Sequence, residues 1–282
     1  MIYYNILKHK AVGGIVMRIF ISADIEGITG ISNWQLASDT PPYEARERMT
    51  GEVVAACKGA MEAGALDFVI KDAHGNGYNL IQEQLPKNAK LMSGWSNHPY
   101  NMVEGLDDTF DGIIFIGYHS NGLANTSPLA HTLFPKTIRG IYLNDEPASE
   151  FTLYAYVAYL LSVPIIAVTG DGGLIRSVSE FDPTIKTVAV QEGFGGGVVS
   201  IHPELAKERI QKTVKESLTQ LKTIGWASNI SIPDVFNLKV VFNRHEDAYK
   251  YSFYPNARQI DEFTISFTTD NYMDLLTLLL FL

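Results

Sequence analysis

Short, almost continuously apolar runs alternate with stretches of helical spacing from Met17 to about residue 190, and this alternation constrains the fold more than any other feature. Runs of this kind are typical of strands that are buried on both faces of a sheet. We expect strands at 18–23, 66–70, 112–116 and 164–169, a shorter one at 138–143, and helices at 43–63 and 150–161. Strands that alternate with helices predict an α/β fold, with a largely parallel sheet and helices on both of its faces.

The pattern changes after about residue 190. A charged amphipathic helix is expected over 203–221, followed by strands at 239–242 and 263–268 in which polar and apolar residues alternate, as in half-exposed strands. We therefore divide the chain into a main α/β domain at 17–190 and a smaller C-terminal α+β domain at 191–282. The smaller domain is expected to serve in oligomerisation or to close a pocket.

Three segments lie outside this pattern. Residues 1–16 contain no apolar stretch long enough for a signal-peptide core, and we interpret them as an N-terminal extension. The glycine-rich segment 193–197 lacks the lysine and hydroxyl residue of a phosphate loop, so it is interpreted as a connection between domains or a pocket-lining loop. Residues 273–282 are apolar but span only half a membrane, which favours a terminal helix packed on the core or on a partner subunit.

The composition excludes several classes of protein. The 282 residues include 22 basic and 31 acidic side chains, for a net charge of −9, which does not favour nucleic-acid binding. The one cysteine, Cys57, excludes a disulfide framework and the cysteine-rich zinc modules, and its place in a predicted helix indicates a small buried side chain. We expect a soluble, cytoplasmic protein that binds neither nucleic acid nor a membrane.

Acids and histidines follow the predicted strands at the points where these end. Asp24 and Glu26 follow the first strand, and residues two apart in an extended chain point the same way. His74 follows the second strand, His119 follows the strand at 112–116, and Glu150 lies a short turn beyond the strand at 138–143. Because ligands bind at the carboxyl edge of open α/β sheets, we expect all five side chains to converge there.

Two imidazoles and three carboxylates without a thiolate suit one or two divalent ions, with zinc first and manganese or cobalt as substitutes. A carboxylate can bridge two ions about 3.5–4 Å apart, and such a pair activates water for hydrolysis. Taken singly, an Asp-x-Glu after a strand often caps a helix or forms a turn, and a histidine there often only makes a hydrogen bond. Their convergence on one edge is what indicates a metal site.

Five motifs also occur in the order and at the spacing of a known family. They are Ser-Ala-Asp-Ile-Glu-Gly at 22–27, Asp-Ala-His at 72–74, Met-Val-Glu-Gly-Leu-Asp-Asp at 102–108, Gly-Tyr-His at 117–119 and Asn-Asp-Glu-Pro at 144–147. With these motifs the chain, from Met17 to its C-terminus, resembles the zinc-dependent D-aminopeptidases of the bacterial dipeptide-transport operon.

The resemblance implies a binuclear zinc aminopeptidase that releases D-amino acids from the N-termini of short peptides. It also implies a homodecamer of two stacked five-membered rings, with residues 17–190 as the metal-binding catalytic domain. Carried over by position, Asp24 would bridge two zinc ions in each subunit. Glu26 and His74 would complete one metal site, and His119 and Glu150 would complete the other.

The resemblance further implies a catalytic histidine at His131. This imidazole would act as a proton shuttle, as a donor to the tetrahedral oxyanion or as a nucleophile, and the sequence leaves these roles open. Asp72 could either orient an imidazole or cap the turn that follows it, and both interpretations stand. His202 precedes a proline at a helix start, which favours a capping role. Ser120 has no G-x-S-x-G context, which argues against a serine hydrolase.

Two other functions fit the same residues. A two-metal phosphoesterase also uses Asp-x-Glu with histidines, although the motif segments supply few of the positive residues that a phosphate requires. A metal-stabilised, ring-forming protein without turnover is the second, and the presence of all five ligand candidates together with His131 argues against it.

Overall fold

The computed structural model describes residues 16–226, 228 and 230–282, so the predicted extension at 1–16 lies outside the described residues except for Val16. Its main sheet has seven strands in the order β3-β2-β1-β4-β7-β8-β9, and every neighbouring pair is parallel except β8 and β9. These strands are β1 (Met17–Ala23), β2 (Ala65–Asp72), β3 (Ala89–Met92), β4 (Gly112–Tyr118), β7 (Ile165–Asp171), β8 (Lys186–Phe194) and β9 (Gly197–Ser200). The predicted α/β fold with a largely parallel sheet is confirmed.

A second sheet is antiparallel and has the strand order β11-β12-β10-β5-β6. Its strands are β5 (Ile138–Leu143), β6 (Glu146–Pro147), β10 (Phe236–Phe242), β11 (Arg258–Gln259) and β12 (Thr264–Thr269). The strand at 138–143 was expected to deliver Glu150 to the edge of the main sheet, and this was wrong. It pairs instead with β10, because its apolar residues pack beside those of β10 and β12.

Six helices cover the sheets within the described residues: α1 (Tyr43–Glu62), α2 (Glu150–Leu160), α3 (Gly172–Phe181), α4 (Pro203–Ile224), α5 (His245–Tyr251) and α6 (Tyr272–Leu280). Alternate residues of the buried strands point to opposite faces of the main sheet. Ile19 and Ile21 pack with α1 and α4, whereas Phe20 packs with α2 and the apolar face of the second sheet. Helix α2 is therefore apolar on nearly every side, because it lies within this second core.

The predicted boundary near residue 190 does not separate the two sheets. The second sheet takes β5 and β6 from before it and its other strands from after it, while β9 and α4 pack with the main sheet. The division at 190, and the role assigned to 191–282, stay predictions. The glycine-rich segment 193–197 spans the end of β8, the turn of the β8–β9 hairpin and the start of β9.

Each expected helix and strand is present, with ends within a few residues of those predicted. Cys57 is buried and His202 caps α4 by accepting the backbone N–H of Glu204, as expected. Helices α3 and α5 and strands β3, β6, β8, β9 and β11 were not predicted; Gly172, Gly173 and the glycines of 193–197 obscure the pattern around α3, β8 and β9. Within the described part of the chain, no helix combines the length and apolar character needed to span a membrane.

Candidate metal centre

Neighbouring strands of the main sheet end in the residues that the sequence singled out. Asp24 and Glu26 follow β1, His74 follows β2 and His119 follows β4, and these three strands are adjacent in the sheet. The chain after β1 comes so close to the end of β4 that a Cβ atom at Gly27 would collide with the carbonyl oxygen of Tyr118. This close approach explains the glycine, and it brings carboxylates and imidazoles together at one edge.

One group of three buried side chains, here called half-site A, consists of Asp24, Glu26 and His74. The Nδ1 atom of His74 lies 3.3 Å from Oδ1 of Asp24 and 3.1 Å from Oε2 of Glu26. One donor atom from each residue falls within 4.8 Å of the others. Two carboxylate oxygens and one imidazole nitrogen at this spacing form a ligand set that a divalent ion can use.

A second buried group, here called half-site B, consists of His119, His131 and Glu150. The Nε2 atom of His119 lies 3.1 Å from Oε2 of Glu150, and Nε2 of His131 lies 3.6 Å from its Oε1. Glu150 reaches this position from the first turn of α2, which begins here because the Ser149 hydroxyl accepts the N–H of Thr152. The side chain converges on the site as expected, but from a helix and not from a strand end.

Asp24 joins the two half-sites. Its Oδ1 faces His74 of half-site A, and its Oδ2 lies 3.4 Å from Nε2 of His119 in half-site B. Three buried atoms at this junction have no hydrogen-bond partner within the described residues: Asp24 Oδ2, Glu26 Oε2 and His119 Nε2. Buried polar atoms are normally paired, so three unpaired atoms of types that bind metal ions, one facing His74 and two facing each other between Asp24 and His119, fit bound cations.

Backbone carbonyl groups orient all three imidazoles. The Nε2 atom of His74 lies 3.2 Å from the Ser38 oxygen, Nδ1 of His119 lies 3.0 Å from the Ser120 oxygen, and Nδ1 of His131 lies 2.9 Å from the Leu129 oxygen. A ring nitrogen that donates to a carbonyl leaves the other nitrogen as the acceptor. In each ring, the nitrogen left as acceptor is the one that faces the carboxylates of the site.

The electrostatics of the site require positive charge. Burial raises the pKa of the Asp24 carboxyl, but hydrogen bonds and charges from His119 and His74 outweigh it and hold that pKa well below its usual range. Burial lowers the pKa of His74 and of His119, but the carboxylates beside them raise both pKa values well above the ordinary value. The buried carboxylates thus favour protonated imidazoles at His74 and His119, unless a bound cation supplies the positive charge in place of those protons.

His131 forms the outer wall of half-site B. Its ring stacks on that of His119, with centroids 4.2 Å apart and planes 10° from parallel, and Trp34 also packs against it, with ring centroids 5.3 Å apart and planes at 63°. Leu133 donates its N–H to Glu150 Oε1 from a left-handed conformation with φ of 65°. A non-glycine residue in this conformation is strained. Here the Leu133 N–H holds Oε1 of Glu150 away from His119.

Sequence reasoning missed several residues around the centre. Asp171 ends β7, and Gln191 pairs with it within β8; the rule that identified His74 and His119 could have found Asp171. Gln191 donates to the carbonyl oxygens of Glu26 and Ile31 and so fixes the loop after β1. Trp34 could not be identified from the sequence, because it lies in a loop without hydrophobic periodicity.

Asp72 takes the second of its two predicted roles. Its carboxylate accepts the backbone N–H groups of Asn79 and Leu80 and the side-chain amide of Asn79. That amide also donates to the carbonyl oxygen of His74, at 2.7 Å. Asp72 therefore holds the turn that carries His74, and its contacts with the described residues do not include the imidazole.

The fold and this arrangement of side chains define a member of the D-aminopeptidase family. The family model described as D-aminopeptidase matches residues 17–281, and the chain belongs to that family. The predicted resemblance is therefore confirmed.

Two individual proteins are similar to this chain. A D-aminopeptidase of Bacillus subtilis (strain 168) is 34% identical over 178 residues, which are 62% of this chain and 64% of that protein, so the match spans less than two thirds of the relative's length. The solved structure of the Zn-dependent D-aminopeptidase DppA from Bacillus subtilis, a self-compartmentalizing protease, superposes with a TM-score of 0.86 at 28% identity. This superposition covers 94% of the present chain and 96% of that one.

Proposed function

We propose that this protein is a binuclear zinc aminopeptidase that hydrolyses the N-terminal peptide bond of short peptides and prefers D-amino acids. The family assignment and the Zn-dependent structural relative support the peptidase activity and the metal. Asp24, Glu26, His74, His119 and Glu150 are the proposed ligands, and Mn²⁺ or Co²⁺ are proposed substitutes for zinc. Neither the phosphoesterase nor the non-catalytic alternative gains support from the relatives.

The observation that carries the proposal is the position of Asp24 between the half-sites. One of its oxygens faces His74 and the other faces His119. A carboxylate with a different imidazole at each oxygen would hold one metal ion on each side, with His74 beside one ion and His119 beside the other. Bound divalent ions supply Lewis-acid activation of a peptide carbonyl and of a water molecule.

The side chains of the protein supply the rest of the chemistry. His131 donates at Nδ1 to the Leu129 carbonyl, which leaves Nε2 free to accept a proton beside Glu150. We propose that this nitrogen takes the proton of the attacking water and returns it to the leaving amine. Leu133 fixes Oε1 of Glu150 and thereby directs Oε2 towards His119. Burial of all these groups excludes bulk water from the reaction.

The assembly and location belong to the same proposal. The structural relative is described as self-compartmentalizing, which supports a homo-oligomer here, and we propose a decamer of two stacked pentameric rings. Residues 191–282 are proposed to contribute to that assembly or to close the pocket. We place the enzyme in the cytoplasm. A particle ten times the mass of one chain in sedimentation experiments would agree with the decamer, whereas a monomer would contradict it.

The test of function is the release of free amino acid from D-Ala-D-Ala and from L-Ala-L-Ala, with and without a chelator. We expect turnover of the D-dipeptide, its loss when the chelator removes the metal, and its return when Zn²⁺ is added. A phosphate monoester serves as the control substrate. Activity that resists the chelator, or hydrolysis of the phosphate ester without peptide hydrolysis, would contradict the proposed function.

A further inference from the structure

We infer that Asp171 is a positioning residue of the metal centre, because it fixes Ser120, whose carbonyl group contacts the imidazole of His119 and the backbone N–H of His131. The inference rests on the proposed function, since it concerns the affinity of half-site B for its metal ion. Asp171 contacts neither half-site directly, and it acts through Ser120.

Asp171 is fully buried at the carboxyl end of β7, where both of its oxygens are engaged. Its Oδ2 accepts the backbone N–H of Ser120 at 2.7 Å, and its Oδ1 accepts the Ser120 hydroxyl at 2.5 Å. The same Oδ1 also accepts the N–H of Leu174 at 2.9 Å and thereby caps α3. Ser120 is therefore held at two atoms by a carboxylate that is itself fixed to a strand and a helix.

The carbonyl group of Ser120 transmits this constraint to the metal centre. Its oxygen lies 3.0 Å from Nδ1 of His119 and accepts the backbone N–H of His131 at 3.2 Å. The first contact keeps the proton of His119 on Nδ1, so that the buried Nε2 keeps its lone pair for a metal ion. The second contact places His131 where its ring stacks on that of His119.

Close packing leaves Ser120 little freedom to move. Its hydroxyl also lies 2.8 Å from Oγ1 of Thr126, and a Cβ atom at Gly173 would collide with the Thr126 side chain. The N–H of Gly193 donates to the Thr126 carbonyl at 3.1 Å, which ties the same loop to β8. The segment from His119 to His131 is thus anchored to β7, α3 and β8, and Asp171 provides its only charged anchor among these contacts.

The test compares Asp171→Asn with a matched control, Asp182→Asn. Asp182 is also buried, lies at the opposite end of α3, and accepts hydrogen bonds from Tyr159 and Thr184, far along the chain from either half-site. In Asp171→Asn an NH₂ group must face one of the N–H donors that the carboxylate now accepts, so Ser120 is expected to shift. Zn²⁺ affinity is measured for each ion by competition with a chelating dye, and Co²⁺-loaded protein gives an absorption spectrum for the geometry of each site.

We expect Asp171→Asn to lower the affinity for one of the two Zn²⁺ ions by about 10–100-fold and to leave the affinity for the other unchanged. The substitution should also alter the Co²⁺ spectrum. The control is expected to lower the melting temperature and keep both affinities. Unchanged affinities in Asp171→Asn, or an equal loss at both sites, overturn the inference.

If Asp171→Asn does not fold, Ser120→Ala decides the question, since it removes one of the two bonds and should weaken the same ion by about threefold to tenfold. Unchanged Zn²⁺ affinity in that variant also overturns the inference. A wild-type chain that binds fewer than two ions contradicts the proposed function itself, and this is measured before any variant is compared.

Discussion

Asp24 is the residue that distinguishes a two-metal centre from two unrelated clusters. It is buried, its two oxygens face different imidazoles, and one of them lacks a hydrogen-bond partner within the described residues. Replacing it should therefore affect both half-sites, whereas replacing Glu26 or Glu150 should affect one. Asp24 is proposed to hold metal ions, whereas His131 is proposed to transfer protons.

His131 is the residue assigned to proton transfer. His131→Ala is expected to lower kcat by about 10²–10⁴-fold, the range typical of lost general acid–base catalysis, while two Zn²⁺ ions per chain are retained. The measurement is steady-state hydrolysis of D-Ala-D-Ala, with metal content determined on the same sample. His202→Ala is the control, since His202 caps α4 on the surface and should leave turnover unchanged. Loss of a zinc ion from His131→Ala would make this residue a ligand.

Strand ends and helix starts are the elements that place the site. Three adjacent parallel strands deliver Asp24, His74 and His119, and the first turn of α2 delivers Glu150. The strand contributions could be predicted, because apolar runs followed by acids or histidines identify the carboxyl edge. The element that delivers Glu150 could not be predicted, because β5 has an ordinary strand pattern. Only the pairing of β5 with β10, almost a hundred residues away along the chain, assigns β5 to the second sheet.

Helix α1 carries a buried acid that makes stability depend on pH. Burial raises the pKa of Glu52 to about 7, only partly offset by the Thr29 N–H that its Oε1 accepts. A carboxyl whose pKa is raised by folding contributes stability below its unfolded value of 4.5, and this contribution is lost as the pH rises to about 7.

Glu52→Gln should therefore remove this part of the pH dependence. Relative to wild type, the variant is expected to gain about 2–3 kcal/mol in unfolding free energy between pH 4.5 and pH 8. Urea unfolding at several pH values measures the difference, and titrations of other groups cancel in the comparison. A difference between the two proteins that does not change with pH would contradict the assigned role of burial.

The loop after β1 is expected to contact the substrate through Trp34. This residue is 45% exposed and its ring packs on His131, so it lies beside the proposed catalytic group and remains accessible. Trp34→Ala should raise KM for dipeptides by about threefold to tenfold, the equivalent of one lost aromatic contact, with a smaller change in kcat. Trp34→Phe keeps an aromatic ring and should restore most of the affinity. Equal KM values for all three proteins would remove Trp34 from the substrate site.

At the scale of the whole molecule, the two sheets and their helices form cores that the sequence predicted only in part. Strands β1, β2, β4 and β7 of the main sheet follow from local pattern, because their apolar residues are buried on both faces. The second sheet does not, because it is assembled from segments on both sides of residue 190 and its edges depend on long-range pairing. The place of Asp171 after the strand expected at 164–169 could be predicted, whereas its hydrogen bonds to Ser120 could not, because they depend on the fold of the loop that follows β4.

Metal removal should destabilise the folded molecule as a whole. Without cations the site contains three buried carboxylates, whose charge only the imidazoles can balance. An ion whose Kd is about a thousandfold below its free concentration contributes about 4 kcal/mol to the free energy of unfolding. Chelation should therefore lower the melting temperature by about 10 °C or more. Calorimetry with and without chelator measures the shift. Asp24→Ala should show a much smaller one, and an unchanged wild-type melting temperature would contradict this stabilisation.

In the proposed centre, one metal ion lies on each side of the Asp24 carboxylate. Anomalous diffraction from crystals of the zinc-loaded protein, recorded at the zinc absorption edge, tests it most directly. We expect two peaks in each chain, about 3.5–4 Å apart, one within bonding distance of Glu26 and His74 and the other of His119 and Glu150. A single peak, or two peaks that do not share Asp24, would contradict it.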